Sequence, residues 1–420
     1  MLRGKERFAL CSLMFLRGQG QMRTSAMDNT RGTAANAGMS LDSRYPAISD
    51  LRDAARRRIP HFVWEYLDSA TGTEATKARN RAQLDRVLMM PSVLHGELDV
   101  DLSVAFLGQR LALPFGIAPV GMSGLIWPEA EVHLAKAAAD AGIPYTLSTV
   151  ATRTPEEIAP HLGAQGWFQL YPPRDEGIRR DILARAKTAG FETLVLTVDV
   201  PVASRRERQL RGGLQQPPKL TPRLLAQVAR CPAWAMGISR TGMPRMRLMD
   251  GYADHVKGQT EGLSSTAHVG YLLRTSPDWD YVTWLRDNWA GRLIVKGVLD
   301  AADAPKMEAA GIDALWLSNH AGRQFDAAPA PIEVLADVRA ATSLPLIFDS
   351  GIEGGLDILR ALAMGADYVM LGRAWHYALG ALGAAGPAHL AAMLSADLKA
   401  NMGQLGVETL SGLPERLYFP

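Results

Sequence analysis

Cysteine is almost missing from this chain of 420 residues: Cys11 and Cys231 are the only two. Two cysteines build neither a disulfide framework nor a cysteine metal site, and they fit a reducing compartment such as the cytoplasm. No apolar run approaches the roughly 18 to 20 residues needed to span a bilayer. Net charge is scarce too, at +2. No run of lysine and arginine stands against aromatics, so the sequence offers nucleic acid no binding stripe.

What is present is apolar material, 47% of the residues, which suits a soluble globular protein with one large core or two ordinary ones. A single α/β barrel reaches about 250 residues or more. Residues 1–43 read differently from the rest. The short apolar run Phe8 to Leu16 follows Arg3, Lys5 and Arg7 as in a signal peptide, but Arg17 interrupts it and no small-residue cleavage site is evident. A Gly/Ala/Asn/Thr/Ser stretch follows, of a composition expected to be disordered. The segment is expected to be a dispensable extension or an overlong start, with Met39 a plausible true start.

From Pro114 onward, short apolar runs alternate with longer amphipathic ones. The strand candidates are Pro114–Val120, Tyr145–Thr149, Trp167–Tyr171, Thr193–Asp199, Leu293–Val298, Ala314–Asn319, Pro345–Ser350 and Tyr368–Gly372. Most are continuously apolar, as strands buried on both faces are. Helix patterns lie between them at Glu129–Ala141, Gly177–Ala189, Ala301–Ala310, Ile332–Ala341 and Gly355–Met364, several closed by glycine. Strand then helix, eight times, predicts a (β/α)8 barrel over residues 44–420, although doubly wound sheets alternate likewise. Polar residues favour the barrel: Ser148, Gln169, Tyr171, Thr197, Asp199, Lys296, His320, Asp349 and Arg373 fall at or just past the ends of different strands. In a barrel those ends share one face.

Two parts stand outside the repeat. Tyr45–Arg81 reads as a helical prelude. Residues 212–276 form a long insertion after the fourth strand, of the kind that serves as a lid or binding segment. Within it Leu224, Leu225, Val228, Trp234 and Met236 lie near Arg223 and Arg230, a mixture suited to a membrane surface, to a lid packed on its own barrel or to a partner contact.

The run Ser318-Asn319-His320-Ala321-Gly322-Arg323-Gln324 follows an apolar strand. A histidine at a strand end can serve as a base near neutral pH, and an arginine three residues on can hold a carboxylate through two bonds. Either residue alone could equally be a satisfied polar group or a salt-bridge partner. Asp199 could orient His320 or merely cap a helix; of Arg205 and Arg206, charge does not say which faces the site. Lys296, inside an apolar strand, needs a charged or polar partner, either an electron-rich cofactor ring or a buried ion pair. Gln169 and Tyr171 point the same way. Asp349-Ser350-Gly351 and Leu371-Gly372-Arg373 end the last two strands, where barrels commonly hold a phosphate.

Together these blocks resemble the FMN-dependent L-2-hydroxy-acid dehydrogenases and oxidases, the group of glycolate oxidase, L-lactate dehydrogenase and mandelate dehydrogenase. The likeness runs from about Tyr45 to near the C-terminus. Its sharpest signature is the Ser318–Gln324 run; Ala118-Pro119-Val120-Gly121, Leu147-Ser148-Thr149, Phe168-Gln169-Leu170-Tyr171, Thr197-Val198-Asp199 and Val295-Lys296-Gly297 support it. The resemblance implies that His320 takes a proton from a small 2-hydroxy acid and that Asp199 supports it. It implies that Arg206 and Arg323 hold the substrate carboxylate and Tyr171 its hydroxyl oxygen. Pro119, Val120 and Gly121 would lie along the flavin ring, with Ser148, Gln169, Thr197 and Lys296 contacting it. Asp349, Ser350, Gly351, Gly372 and Arg373 would serve the FMN side chain and phosphate. Electrons would pass to a respiratory quinone or to oxygen.

Three departures bear on this expectation. Trp64 is taken to stand where many members carry a tyrosine touching the substrate carboxylate; an indole has one N–H and no hydroxyl. Glu353 stands where an arginine often meets the FMN phosphate, and Ala321 replaces the usual glycine after the histidine. Gly121 and the insertion tilt the resemblance toward a dehydrogenase with a quinone-type acceptor. The resemblance also implies a homotetramer and peripheral contact with the inner membrane through the insertion. Two competing readings are a flavin-binding protein that has lost efficient catalysis, and another FMN barrel enzyme such as an isomerase acting on a diphosphate.

Overall fold

In the barrel strands almost every residue is buried on both faces, so each strand must be covered by helices outside and by side chains inside. The computed structural model describes residues 40–213, 221–252, 273 and 275–419; the expected N-terminal extension and the rest of the insertion lie outside the described residues, apart from the short helix Leu41–Arg44. Eight parallel strands close a barrel: β1 (Phe115–Ile117), β2 (Tyr145–Ser148), β3 (Gly166–Leu170), β4 (Thr193–Thr197), β5 (Arg292–Val298), β6 (Ala314–Leu317), β7 (Leu346–Phe348) and β8 (Tyr368–Leu371). Each pairs with its neighbour in chain order, and β8 returns to β1. All eight strand expectations hold, six with trimmed ends, while β3 and β5 begin one residue earlier than expected.

After that short helix, three longer helices among the described residues precede the barrel: α1 (Ile48–Arg58), α2 (His61–Asp68) and α3 (Ala75–Asp85). Within and after it come α4 (Ala130–Ala141), α5 (Glu176–Thr188), α6 (Glu207–Gly212), α7 (Pro222–Ala229), α8 (Pro232–Thr241), α9 (Trp279–Asn288), α10 (Ala304–Ala309), α11 (Pro331–Ala341), α12 (Gly355–Ala363), α13 (Arg373–Leu382) and α14 (Gly386–Leu405). Local chemistry starts several of them. Asp175 accepts from the Ile178 N–H at the head of α5, and Asp278 from the Tyr281 N–H at the head of α9. The helical stretch Arg373–Leu405 is apolar and long enough to cross a membrane by length and composition, a property not anticipated from apolar runs. Its apolarity has another use here, because Ala378, Leu379, Leu390, Leu394 and Leu398 are buried in the core.

Inside the barrel the side chains form layers. The lower layers are apolar and aromatic: Trp167, Val195, Ile294, Trp316, Ile347, Tyr368 and Met370. A small antiparallel hairpin, Val104–Phe106 with Gln109–Leu111, plugs the end at which the strands begin. Its Phe106 ring stacks on Tyr368 with centroids 5.0 Å apart. The barrel is thus closed below by packing, and the charged side chains Lys296 and Asp349 lie at the opposite end, where the strands finish.

Helix α6 leads into the insertion, whose described part includes α7 and α8. Trp234 is buried, donates to the Leu125 carbonyl at 2.9 Å and meets Phe62 edge-on. Gln227 accepts from the Phe62 N–H at 2.9 Å. This part therefore docks on the α2 region while leaving Leu225, Met236 and Met243 exposed.

Candidate active site

The polar layer is a connected network. Ser148 Oγ donates to Gln169 Oε1 at 2.9 Å, and Gln169 Nε2 donates to Thr197 Oγ1 at 3.0 Å. Ser148 and Gln169 are buried beneath the open cavity, whereas Thr197 lines it. Lys296 Nζ, expected to need a partner, has two: Ser318 Oγ at 2.6 Å and Asp349 at 3.1 Å. Asp349 also accepts from Trp316 Nε1 at 2.9 Å and from Ser350 Oγ at 2.6 Å. The lysine is thereby fixed with its charge compensated, at the cavity wall.

His320 is set by strain. It has φ of +55°, followed by Ala321 at +53° and Gly322 at +76°. Left-handed conformations are costly for L-residues and persist where surroundings enforce them. Here the Gly322 N–H donates to Asn319 Oδ1 at 3.2 Å, and Asn319 is locked to Asn80 by bonds of 2.9 and 2.6 Å. The Ala321 N–H donates to Ser350 Oγ at 3.1 Å. The turn carries His320 Nδ1 to 3.2 Å from both Asp199 carboxylate oxygens. With Nδ1–H donated to Asp199, the basic lone pair is on Nε2.

Asp199 reaches this place because Gly297, at φ +105°, bulges out of β5. A Cβ on Gly297 would lie 2.5 Å from the Asp199 Cβ. Burial would raise the Asp199 pKa, but His320 and Lys296 together hold it below the usual carboxylate value. Burial lowers that of His320, and Asp199 only partly offsets this. A neutral imidazole beside an ionised carboxylate is the result.

The surrounding cavity, about 420 Å³, brings together Pro119, Val120, Gly121, Tyr171, Thr197, Arg206, Lys296, His320, Arg323, Asp349, Ser350, Gly351, Gly372 and Arg373 from the expected set. Arg206 turns in, while the Arg205 side chain is 83% exposed. Arg323 spends part of its fork on the carbonyls of Tyr66, Leu67 and Ser69, at 2.8 to 3.3 Å. Burial and then Arg206 and Arg373 press on its charge, which makes the neighbourhood of these arginines attractive to an anion. Tyr171 is pushed well above the usual phenol pKa by burial first and Asp199 second, so its hydroxyl stays protonated.

One expected site residue is corrected. Trp64 does not line this cavity; it is buried in the core with its ring 5.8 Å from that of Tyr377. The cavity-lining aromatic is Tyr66, whose hydroxyl donates to the Gly121 carbonyl at 2.8 Å. Two positions apart on a helix is about 200°, so Trp64 and Tyr66 point to opposite faces. The sequence offers three aromatics in Phe62-Val63-Trp64-Glu65-Tyr66 and no way to tell which face meets the barrel. Ser318, Gly297 and Tyr66 are thus contributors whose roles the pattern alone did not assign.

At the far end, Arg52, Lys77, Arg81 and Arg373 share the cavity lining with Gly351 and Gly372. Burial first, and Arg373 second, lower the Lys77 pKa; cations crowd here in a way that a phosphate dianion would relieve. An apolar wall of Ala118, Pro119, Val120, Met370 and Leu371 lies between the two ends. Glu353 also lines this end but is exposed to solvent. The residues present therefore fit a flat ring with a phosphorylated tail.

A closed eight-stranded barrel with a histidine–aspartate pair, buried arginines and a lysine in one cavity defines a class: a barrel oxidoreductase with a flavin-shaped site. The chain belongs to the FMN-dependent dehydrogenase family, which matches residues 55–419. The L-lactate dehydrogenase of Serratia proteamaculans (strain 568) is 37% identical over 372 residues, 87% of this chain and 96% of that protein. The L-lactate dehydrogenase of Ectopseudomonas mendocina (strain ymp) is 38% identical over 376 residues, 88% and 98% respectively. Among solved structures, the monotopic membrane protein (S)-mandelate dehydrogenase aligns with a TM-score of 0.82 at 35% identity, covering 89% of this chain and 99% of that one.

Proposed function

We propose that this protein is an FMN-dependent dehydrogenase that oxidises an L-2-hydroxy acid to the 2-oxo acid. The observation that carries the reading is the His320–Asp199 pair, 3.2 Å apart, facing a cavity shared with Arg206, Arg323 and Tyr171. The arginines attract the substrate carboxylate, and the protonated Tyr171 hydroxyl donates to the substrate hydroxyl oxygen. His320 takes the proton through Nε2, and the buried Asp199 carboxylate stabilises the resulting imidazolium. FMN, when bound, would supply the two-electron acceptor. Pro119, Val120 and Gly121 would lie along its ring, and Lys296 would place positive charge beside it. Thr197 would contact the ring, with Gln169 and Ser148 buttressing Thr197 from the layer below. Gly351, Gly372 and Arg373 would hold the phosphate, while Asp349 and Ser350 fix Lys296 and the His320 turn. Tyr66 takes the place first assigned to Trp64.

Purified protein should be yellow and should bleach without oxygen when given L-lactate, (S)-mandelate or a longer analogue. A bound flavin that none of these acids reduces would contradict the reading. The quinone-type acceptor is supported by the resemblance to the dehydrogenase members at Gly121 and in the insertion; turnover with a quinone analogue should exceed that with oxygen. Peripheral membrane contact is supported by exposed Leu225, Met236 and Met243 beside exposed Arg223, Arg230 and Arg240. Anionic lipid vesicles should sediment the protein, and charged replacements of the three apolar residues should release it. Assembly into a homo-oligomer is supported by exposed Leu88, Met90, Tyr418 and Phe419 on and beside one strand pair, and light scattering reads it directly.

A further inference from the structure

The cavity holds a polar group that the reaction does not use. Gln209 lies on α6, three residues after the N-cap residue Arg206, and both side chains line the cavity. Gln209 Oε1 is buried and has no hydrogen-bond partner. A buried acceptor left unpaired is costly, and such groups are normally satisfied. The other cavity residues contributed from the stretch after β4 and from the insertion are mainly apolar: Val200, Met246 and Leu273. Val150 adds a further apolar wall beside Gly121.

A 2-hydroxy acid anchored by its carboxylate on the arginines and by its hydroxyl near His320 still has its side chain to place. Val150, Val200, Met246 and Leu273 suit an apolar stem. One amide at the edge of such a lining supplies a single point of polar recognition, the usual arrangement of a selective pocket. A methyl group, as in lactate, offers the amide nothing. A side chain ending in a hydroxyl or an N–H would satisfy it.

We propose that Gln209 is a specificity-determining residue that accepts a hydrogen bond from a donor at the tip of the substrate side chain. The substrate class is then L-2-hydroxy acids with an apolar stem and a terminal hydroxyl or N–H. This rests on the hydroxy-acid reading above and deepens it. Sites built to bond a substrate hydroxyl discriminate more strongly than apolar ones, because the analogue without it leaves the site's own group unpaired.

The test uses the FMN-loaded full chain and paired probes: L-phenyllactate with L-4-hydroxyphenyllactate, and L-2-hydroxyhexanoate with L-2,6-dihydroxyhexanoate. For each pair the ratio of kcat/KM, donor-bearing over plain, is measured. The wild type should favour the donor-bearing acid by about tenfold or more in at least one pair, which corresponds to about 1.4 kcal/mol. Gln209→Leu should bring that ratio to about one or below, and Gln209→Glu, which keeps an acceptor, should retain a preference. A residue that only supports the fold would weaken both members of a pair alike and leave the ratio unchanged. Wild-type ratios near one in both pairs, or a ratio unmoved by Gln209→Leu, would overturn the proposal while leaving the hydroxy-acid reading intact. Flavin reduced by no hydroxy acid at all would overturn both.

Discussion

The two ends of the cavity are built in opposite ways. At the His320 end, the groups come from strand ends and the turns just after them, and most are fixed by neighbours at those same ends: Asp199 by Gly297, Lys296 by Asp349, and His320 by Asn319, which α3 locks through Asn80. At the Arg373 end, the cations Arg52, Lys77 and Arg81 are brought in by the N-terminal helices. Arg81 pairs with Asp85 and Asp357, and the hub for Arg52 and Lys77 is Asp68, at the end of α2. It is buried and meets Arg52, Lys77 and Arg208 at 3.1 Å each and the Tyr377 hydroxyl at 2.8 Å. The first end is local geometry made rigid by packing. The second is a long-range ion network that ties α1, α2, α3, α6 and α13 over the barrel.

That contrast can be broken at either end. The largest effect belongs to the first. His320→Gln should retain FMN and lose turnover by about a thousandfold or more, within the range a positioned base contributes; rates within a few-fold of wild type would remove His320 from the role. At the second end, Asp68→Asn should lower stability by about 2 kcal/mol, because it removes the buried charge that partly exposed Arg52, Lys77 and Arg208 share, as read by denaturant titration. Burial works against ionisation of Asp68, but Lys77 and Arg52 outweigh it and hold its pKa far below the usual value. Stability from a depressed carboxyl is present above the unfolded value of about 3.9 and is lost as pH falls below it. The deficit of Asp68→Asn should therefore be full at neutral pH and shrink in acid.

Two smaller effects sharpen the picture. Glu353→Gln should tighten FMN binding several-fold in fluorescence titrations, and only that much, because Glu353 is solvent-exposed and its repulsion of a phosphate is screened. A large gain would mean that the carboxylate sits against the phosphate. Ala321→Gly should raise stability by up to about 1 kcal/mol, since glycine adopts a φ of +53° without the Cβ penalty. A loss of stability there would show that the alanine methyl contributes packing.

The same contrast explains what the sequence revealed. The barrel was legible because eight buried strands each leave a continuous apolar run, and the His320 end because its residues lie at the ends of those runs. Trp64 was misassigned for the complementary reason. It belongs to α2, outside the repeat, and the docking face of that helix is decided by packing against Tyr377 and by the Tyr66 hydroxyl on Gly121. The Asp68 hub was invisible for the same reason, since its partners lie up to 309 positions away in the chain. Ala321 was noticed as a departure, but its cost is conformational rather than steric, a fact carried by φ and not by residue type.

The central claim is that neutral His320, paired with Asp199, is the base. Its most direct test is the pH dependence of anaerobic flavin reduction by an L-2-hydroxy acid, in wild type and His320→Gln. Burial lowers the His320 pKa beyond what Asp199 restores. The neutral, active form should therefore persist below the ordinary histidine value of about 6.5, and the rate should fall only as pH drops through that lowered pKa. The residual rate of His320→Gln should lack this acid limb. A limb unchanged in the variant would contradict the account.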